Sequence, residues 1–188
     1  GDCGGIMSIR RISFYNDSNE YIQKSIDVKR KIPLITNFQE LEEHEDEFDK
    51  REYLSIYQQL MELEIWNNSS EKMRGILAPL VRSYYDKNNA LVLVFPRYEP
   101  LMPEEDAFRF EDEEVLPILQ NILSQKGMSD NEIGDFIEKM IDFCDEWDLC
   151  LSDIMNNLNN IGWHSAFKVS IIDYGLSNDM IEKFYSKS

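Results

Sequence analysis

Apolar positions in this chain follow two periods, and the switches between them predict the order of elements. Ile9, Ile12 and Phe14, mixed with arginines, and then Ser25 to Ile32, which alternates up to Pro33, predict a short β region over 6–35. The stretch 15–24 between them is polar and reads as a link. From residue 53 the period becomes helical: Tyr53, Ile56, Tyr57 and Leu60 form one apolar stripe, whose next position is Glu64. Ser55, Gln58, Gln59 and Glu62 share the face assigned to solvent, and Asn67-Asn68-Ser69-Ser70 ends the segment. Ile76–Tyr85, Asp86-Lys87-Asn88-Asn89 and Ala90–Phe95 predict a strand, a hairpin turn and a fully buried strand. Pro96, Pro100 and Pro103 then break regular structure and mark a linker.

Two helices follow. Leu116, Leu119, Ile122 and Leu123 place one over 115–125. Ser129-Asp130-Asn131-Glu132 is a capping box, and it opens a second helix with the stripe Ile133, Phe136, Ile137, Met140, Ile141, Cys144 and Trp147. Next come two polar clusters: Leu151-Ser152-Asp153, and the run Asn156, Asn157, Asn159 and Asn160. The β-branched stretch from Phe167 through Ile172 ends in Asp173-Tyr174-Gly175-Leu176-Ser177, a buried strand that delivers a carboxylate to a turn. Gly175 frees the backbone to leave the strand direction at once.

Composition narrows the function classes. With 188 residues, 43% hydrophobic and 12% aromatic, the chain is globular, with room for one domain or two small lobes. A net charge of −17 argues against a nucleic-acid binder, which needs Lys and Arg to displace counterions from phosphate. Eight acidic residues lie between Glu40 and Glu52 and seven between Glu104 and Glu114; they are solvated faces or a surface for a basic protein partner. No apolar run approaches the ~20 residues of a membrane helix, and no secretory signal is visible. Cys3, Cys144 and Cys150 make neither a disulfide framework nor a zinc site, and His44 and His164 are the only histidines. A reduced, cytoplasmic setting follows. The opening Gly1–Gly5 is set aside as an expression remnant or a processed end. A Ser/His/Asp hydrolase would need a G-x-S-x-G elbow, which is missing, and a dinucleotide fold would need a G-x-G turn early in the chain.

The order of elements resembles the protein-kinase-like fold in a minimal form: α+β, with a β-rich N-lobe over 1–96 and a truncated helical C-lobe over 97–188. Val169–Ser177 resembles the kinase strand that enters the D-F-G turn, with Tyr174 in place of Phe. Leu91 to Tyr98 resembles the strand and hinge where adenine docks, which makes Val94 and Tyr98 candidate nucleotide contacts. Ile26-Asp27-Val28-Lys29 resembles the V-A-I-K strand, whose Lys pairs with phosphate oxygens and a helix Glu; that partner here would be Glu64. Such a pair would explain a carboxylate on an apolar stripe, although Lys29 as a surface lysine and Glu64 at a frayed helix end account for the residues too. The resemblance implies ATP and Mg²⁺, with Asp173 and Asn160 (or Asn157) as metal ligands and Asp153 as the base that accepts a hydroxyl proton.

Departures from the pattern are large. No glycine occurs between Gly5 and Gly75, so the phosphate-covering Gly-rich loop is missing. The family's Asn lies five positions after its catalytic Asp; Leu158 holds that position after Asp153, and counting back from Asn160 gives Met155. Either the loop carries a two-residue insertion or the catalytic Asp is lost. No A-P-E segment follows Asp173. The sequence therefore points to a pseudokinase or weak ATP/Mg-binding phosphotransferase, or alternatively to an acidic immunity- or antitoxin-type binding module without nucleotide chemistry.

Overall fold

A computed structural model describes residues 8–12, 20–102 and 110–175. Gly1–Gly5, Phe14, residues 15–19 of the polar link, Pro103, residues 104–109 of the second acidic run, and Leu176 and Ser177 lie outside the described residues. The fold is α+β with two small antiparallel sheets. The chain divides into two compact units: one holds the described residues up to Asn68 together with 79–97, and the other holds 69–78 and the described residues from Tyr98 onward.

In the first unit β1 (Ser8–Ile12), β2 (Tyr21–Ser25), β3 (Arg82–Tyr85) and β4 (Leu91–Pro96) form a sheet in the order β1-β2-β4-β3. Strand β4 is buried along its whole length, as its unbroken apolar run requires. Helix α1 (Phe38–Glu43) and helix α2 (Lys50–Asn68) pack together, and α2 also packs on β4. A reciprocal box starts α2: Glu52 N–H donates to Asp49 Oδ1 at 2.8 Å and Asp49 N–H donates to Glu52 Oε1 at 3.1 Å.

The strand expected over Ser25–Ile32 forms earlier, at Tyr21–Ser25. Beyond it Ile26 and Ile32 are buried, but Lys29, Arg30 and Lys31 are all exposed, which breaks the alternation, and the backbone there is irregular. The β3–β4 turn explains why. Asn88 and Asn89 donate their side-chain amides to the carbonyls of Val28 (3.1 Å) and Ile32 (2.9 Å), and Ile32 N–H donates to Asn88 O at 3.0 Å. Side-chain amides of the turn take the place of a neighbouring strand. Asn89 stands at φ 66, a left-handed conformation that Asn tolerates.

In the second unit α4 (Asp112–Gln125) packs on α5 (Asp130–Trp147) and on α6 (Leu151–Asn156), with α3 (Glu71–Arg74) in the 69–78 segment. The Ser129–Glu132 box is present at the start of α5, and Ile133, Phe136, Ile137, Met140, Phe143 and Cys144 are buried along it. Ile141, placed on the apolar stripe from sequence, is 37% exposed, and Phe143 takes the inward position. A second sheet runs in the order β5-β6-β7, from β5 (Glu99–Pro100), β6 (Ile161–His164) and β7 (Lys168–Ile171). Residues 76–78 line the edge of β7: Ile171 N–H donates to Ile76 O at 2.8 Å and Ala78 N–H donates to Ile171 O at 2.9 Å. Among the described residues no helix is long and apolar enough to cross a membrane.

Candidate functional site

The first unit buries an ion pair, and it is not the pair expected between Lys29 and Glu64. Lys29 is exposed in a bend and Glu64 is exposed on α2, so these two residues do not provide it. The buried pair is Lys24 with Glu62: Nζ lies 3.4 Å from Oε2, and their side chains are 5% and 0% exposed. Lys24 is in β2, paired across the ladder with Leu93 of β4. Its ammonium also lies 4.9 Å from the centroid of the Phe95 ring, where the ring's negative face attracts a cation.

Helix α2 is responsible for the misplacement. The stripe Ser55, Gln58, Gln59 and Glu62, expected to face solvent, is buried, each residue at 3% exposure or less. Leu54, Met61 and Ile65 flank those polar positions and are buried with them, so α2 is enclosed on more than one face. That flanking was a usable signal. An exposed polar stripe is not bordered on one side by Leu54, Met61 and Ile65 and on the other by Ile56 and Leu60. On β2, Tyr21-Ile22-Gln23-Lys24 also carried strand character, with an aromatic and a β-branched residue leading to the lysine.

The second unit holds the other candidates. Asp173 lies two residues beyond β7 and is half-buried. Ile172 N–H donates to the Asn160 carbonyl at 2.9 Å, so the Asn160 backbone is tied to the residue next to Asp173. Asn160 itself is 8% exposed and ends the short 3₁₀ turn Leu158–Asn160. Asn157 is committed otherwise: its side-chain oxygen accepts from Asn159 N–H at 3.1 Å and caps that turn. The Asn160 backbone is thus bonded beside the Asp-Tyr-Gly turn.

Tyr174 anchors that turn. It is 1% exposed, donates its hydroxyl to Ala78 O at 3.2 Å, and meets Phe143 of α5 edge-on with centroids 6.2 Å apart. Asp153 lies on α6, a helix and not the loop its polar neighbours suggested.

Val94 and Tyr98 are both interior residues. Val94 is 0% exposed, between Gln23 of β2 and Arg82 of β3 in the sheet register. Tyr98 is 7% exposed and bonds Ser170 Oγ at 2.9 Å; burial pushes its phenol pKa up, which the Ser170 bond partly offsets. Its ring stacks near Phe167 and tilts against His164, at centroid distances of 6.4 and 5.2 Å. Gly162 makes this possible, because a Cβ there would stand 2.8 Å from Tyr98 Cβ and 3.1 Å from Ile172 Cγ2.

Among the described residues no group of three or more His, Cys, Asp or Glu side chains could hold a metal ion. Comparison of the chain with protein-family models, with curated proteins and with solved structures gives no match.

Proposed function

We propose that this is a degenerate kinase-like protein that binds a nucleoside triphosphate with Mg²⁺. In the kinase-like pattern Lys24, held by Glu62, corresponds to the phosphate-pairing lysine, and Asp173 with Asn160 to the metal ligands. The observation that carries this reading is the burial of Lys24 and Glu62. Removing two charges from water costs several kcal/mol per ion, and apolar residues of similar volume often do as well or better. A pair kept under that penalty, on a strand and a helix in the order the sequence resemblance implies, favours a functional lysine over a structural one. Bound Mg²⁺ would offset phosphate charge, with Asp173 as its carboxylate ligand and Asn160 as an amide-oxygen ligand. The role proposed is binding. Asp153 stands seven positions before Asn160, not five, so no proton-transfer step is assigned to it.

Thermal unfolding with and without Mg·ATP tests the reading. Ligand at 100 times its Kd stabilises by ~2.7 kcal/mol, which for a chain of this size is roughly 5–10 °C in melting temperature. Lys24→Met should erase most of that shift. A wild-type protein that shows no shift at millimolar Mg·ATP overturns the proposal.

A second reading, an acidic protein-binding module, is favoured by one observation: Glu42, Glu43, Glu45, Asp46, Glu47 and Asp49 are all exposed. It expects no response to Mg·ATP and a salt-sensitive complex with a lysine-rich peptide that charge reversal at Glu45 and Asp46 weakens.

A further inference from the structure

Gln59 stands three residues before Glu62 on the buried face of α2 and is itself 0% exposed. Its side-chain NH₂ donates to two backbone carbonyls, of Lys24 at 3.0 Å and of Leu91 at 2.6 Å. Both partners are acceptors, so only the nitrogen end of the amide can face them. These carbonyls lie where the β2–β4 ladder gives out. The register runs from Tyr21↔Pro96 to Lys24↔Leu93, and β2 ends one residue later, at Ser25. Beyond that point the Gln59 amide supplies the donor that a longer strand would have supplied.

The other end of the amide has no such partner. Gln59 Oε1 is buried without a hydrogen bond among the described residues. An unmade bond at a buried acceptor is a penalty that Met or Leu at this position would avoid. Met or Leu would, however, leave the Lys24 and Leu91 carbonyls without the donor that Gln59 gives them. The gain from Gln59 is geometric: Glu62 holds the Lys24 ammonium, and Gln59, one turn earlier, holds the Lys24 carbonyl.

We propose that Gln59 is a positioning residue that fixes the register of α2 on β2 and β4, so that the Lys24–Glu62 pair is formed before any ligand arrives. Its purpose rests on the nucleotide-binding reading, but the clamp itself is tested without nucleotide. The measurement is the rate at which an N-hydroxysuccinimide ester acylates each lysine of the full chain, resolved by mass spectrometry. In the wild type Lys24 should react far more slowly than the exposed Lys29 and Lys31. Gln59→Met should raise the Lys24 rate by about tenfold or more, the factor that one hydrogen bond of about 1.4 kcal/mol represents, and leave Lys29 and Lys31 unchanged. A core variant that lowers the melting temperature equally, such as Val92→Ala, should not release Lys24 selectively. Equal protection of Lys24 in folded Gln59→Met and wild type overturns the clamp.

If Gln59→Met does not fold, proton exchange at the Gln59 side chain in the wild type decides. Exchange much slower than that of the exposed Gln39 supports the clamp, and exchange equally fast refutes it. The two proposals can also fail separately. A wild type silent to Mg·ATP, with Lys24 released by Gln59→Met, removes the nucleotide reading and keeps the clamp. A wild type that responds to Mg·ATP, with Lys24 still protected in the variant, does the reverse.

Discussion

Arg30 donates to both carboxylate oxygens of Glu52, at 2.7 and 2.9 Å, and to the Glu47 carbonyl at 3.2 Å. The Arg30 bond, joined by the Asp49 backbone N–H, holds the Glu52 carboxyl below its ordinary value of 4.5 against the opposing effect of desolvation. A lowered carboxyl pKa contributes stability that is present above the unfolded value and is lost as pH falls through the folded one. Urea midpoints should therefore drop on acidification below about pH 4.5, and Glu52→Gln should flatten part of that drop. The Arg30 side chain is 52% exposed, so the effect should stay within ~1 kcal/mol after solvent screening. An acid limb identical in Glu52→Gln and wild type would exclude this fork as a contributor. Single charged residues were the least legible part of the sequence. Glu62 is told from Glu64 only by the apolar residues Leu54, Met61 and Ile65 beside its stripe, and Lys24 from Lys29 only by the short strand pattern before it, signals weaker than the stripe that pointed to Glu64.

Helices α2 and α5 and strand β4 were legible because each carries a long, regular signal. Eighteen residues of amphipathic stripe, as in α5, outweigh any local exception. The Ser129–Glu132 box shows how specific such a signal can be: Glu132 N–H donates to Ser129 Oγ at 3.2 Å and Ser129 N–H to Glu132 Oε1 at 3.0 Å. Ser129→Ala should cost about 1 kcal/mol, or roughly 4–8 °C in the melting temperature of the unit that holds α5. Short elements were not legible. Strand β6 is four residues with a glycine inside, and it forms because β5 and β7 flank it. Gly162 is what lets Tyr98 approach that closely. Gly162→Ala should destabilise by ~1–3 kcal/mol, the usual result of forcing a methyl into a filled space. A near-neutral Gly162→Ala would mean that Tyr98 yields easily, and with it the hydroxyl bond to Ser170.

The net charge of −17 bears on every test of ligand binding. Surplus carboxylates repel one another, and Mg²⁺ or plain salt relieves that repulsion without a specific site. Between 0.01 and 0.15 M the screening length falls from ~30 to ~8 Å, so adding NaCl should raise the melting temperature. Salt also weakens exposed attractive pairs such as Arg30–Glu52 and Lys139–Asp135, but each of these contributes at most ~1 kcal/mol, and the unbalanced acids outnumber them. A fall in melting temperature with NaCl would show that local pairs dominate. The nucleotide experiment must therefore compare Mg·ATP with MgCl₂ at matched ionic strength. Asp173 separates the two effects, because one carboxylate out of 36 acidic residues changes general screening very little. Asp173→Ala should keep the stabilisation by NaCl and MgCl₂ and lose the additional shift with Mg·ATP. If the variant retains that additional shift, Asp173 is not a ligand of the nucleotide-bound metal, and Tyr174 anchors a turn whose role is structural.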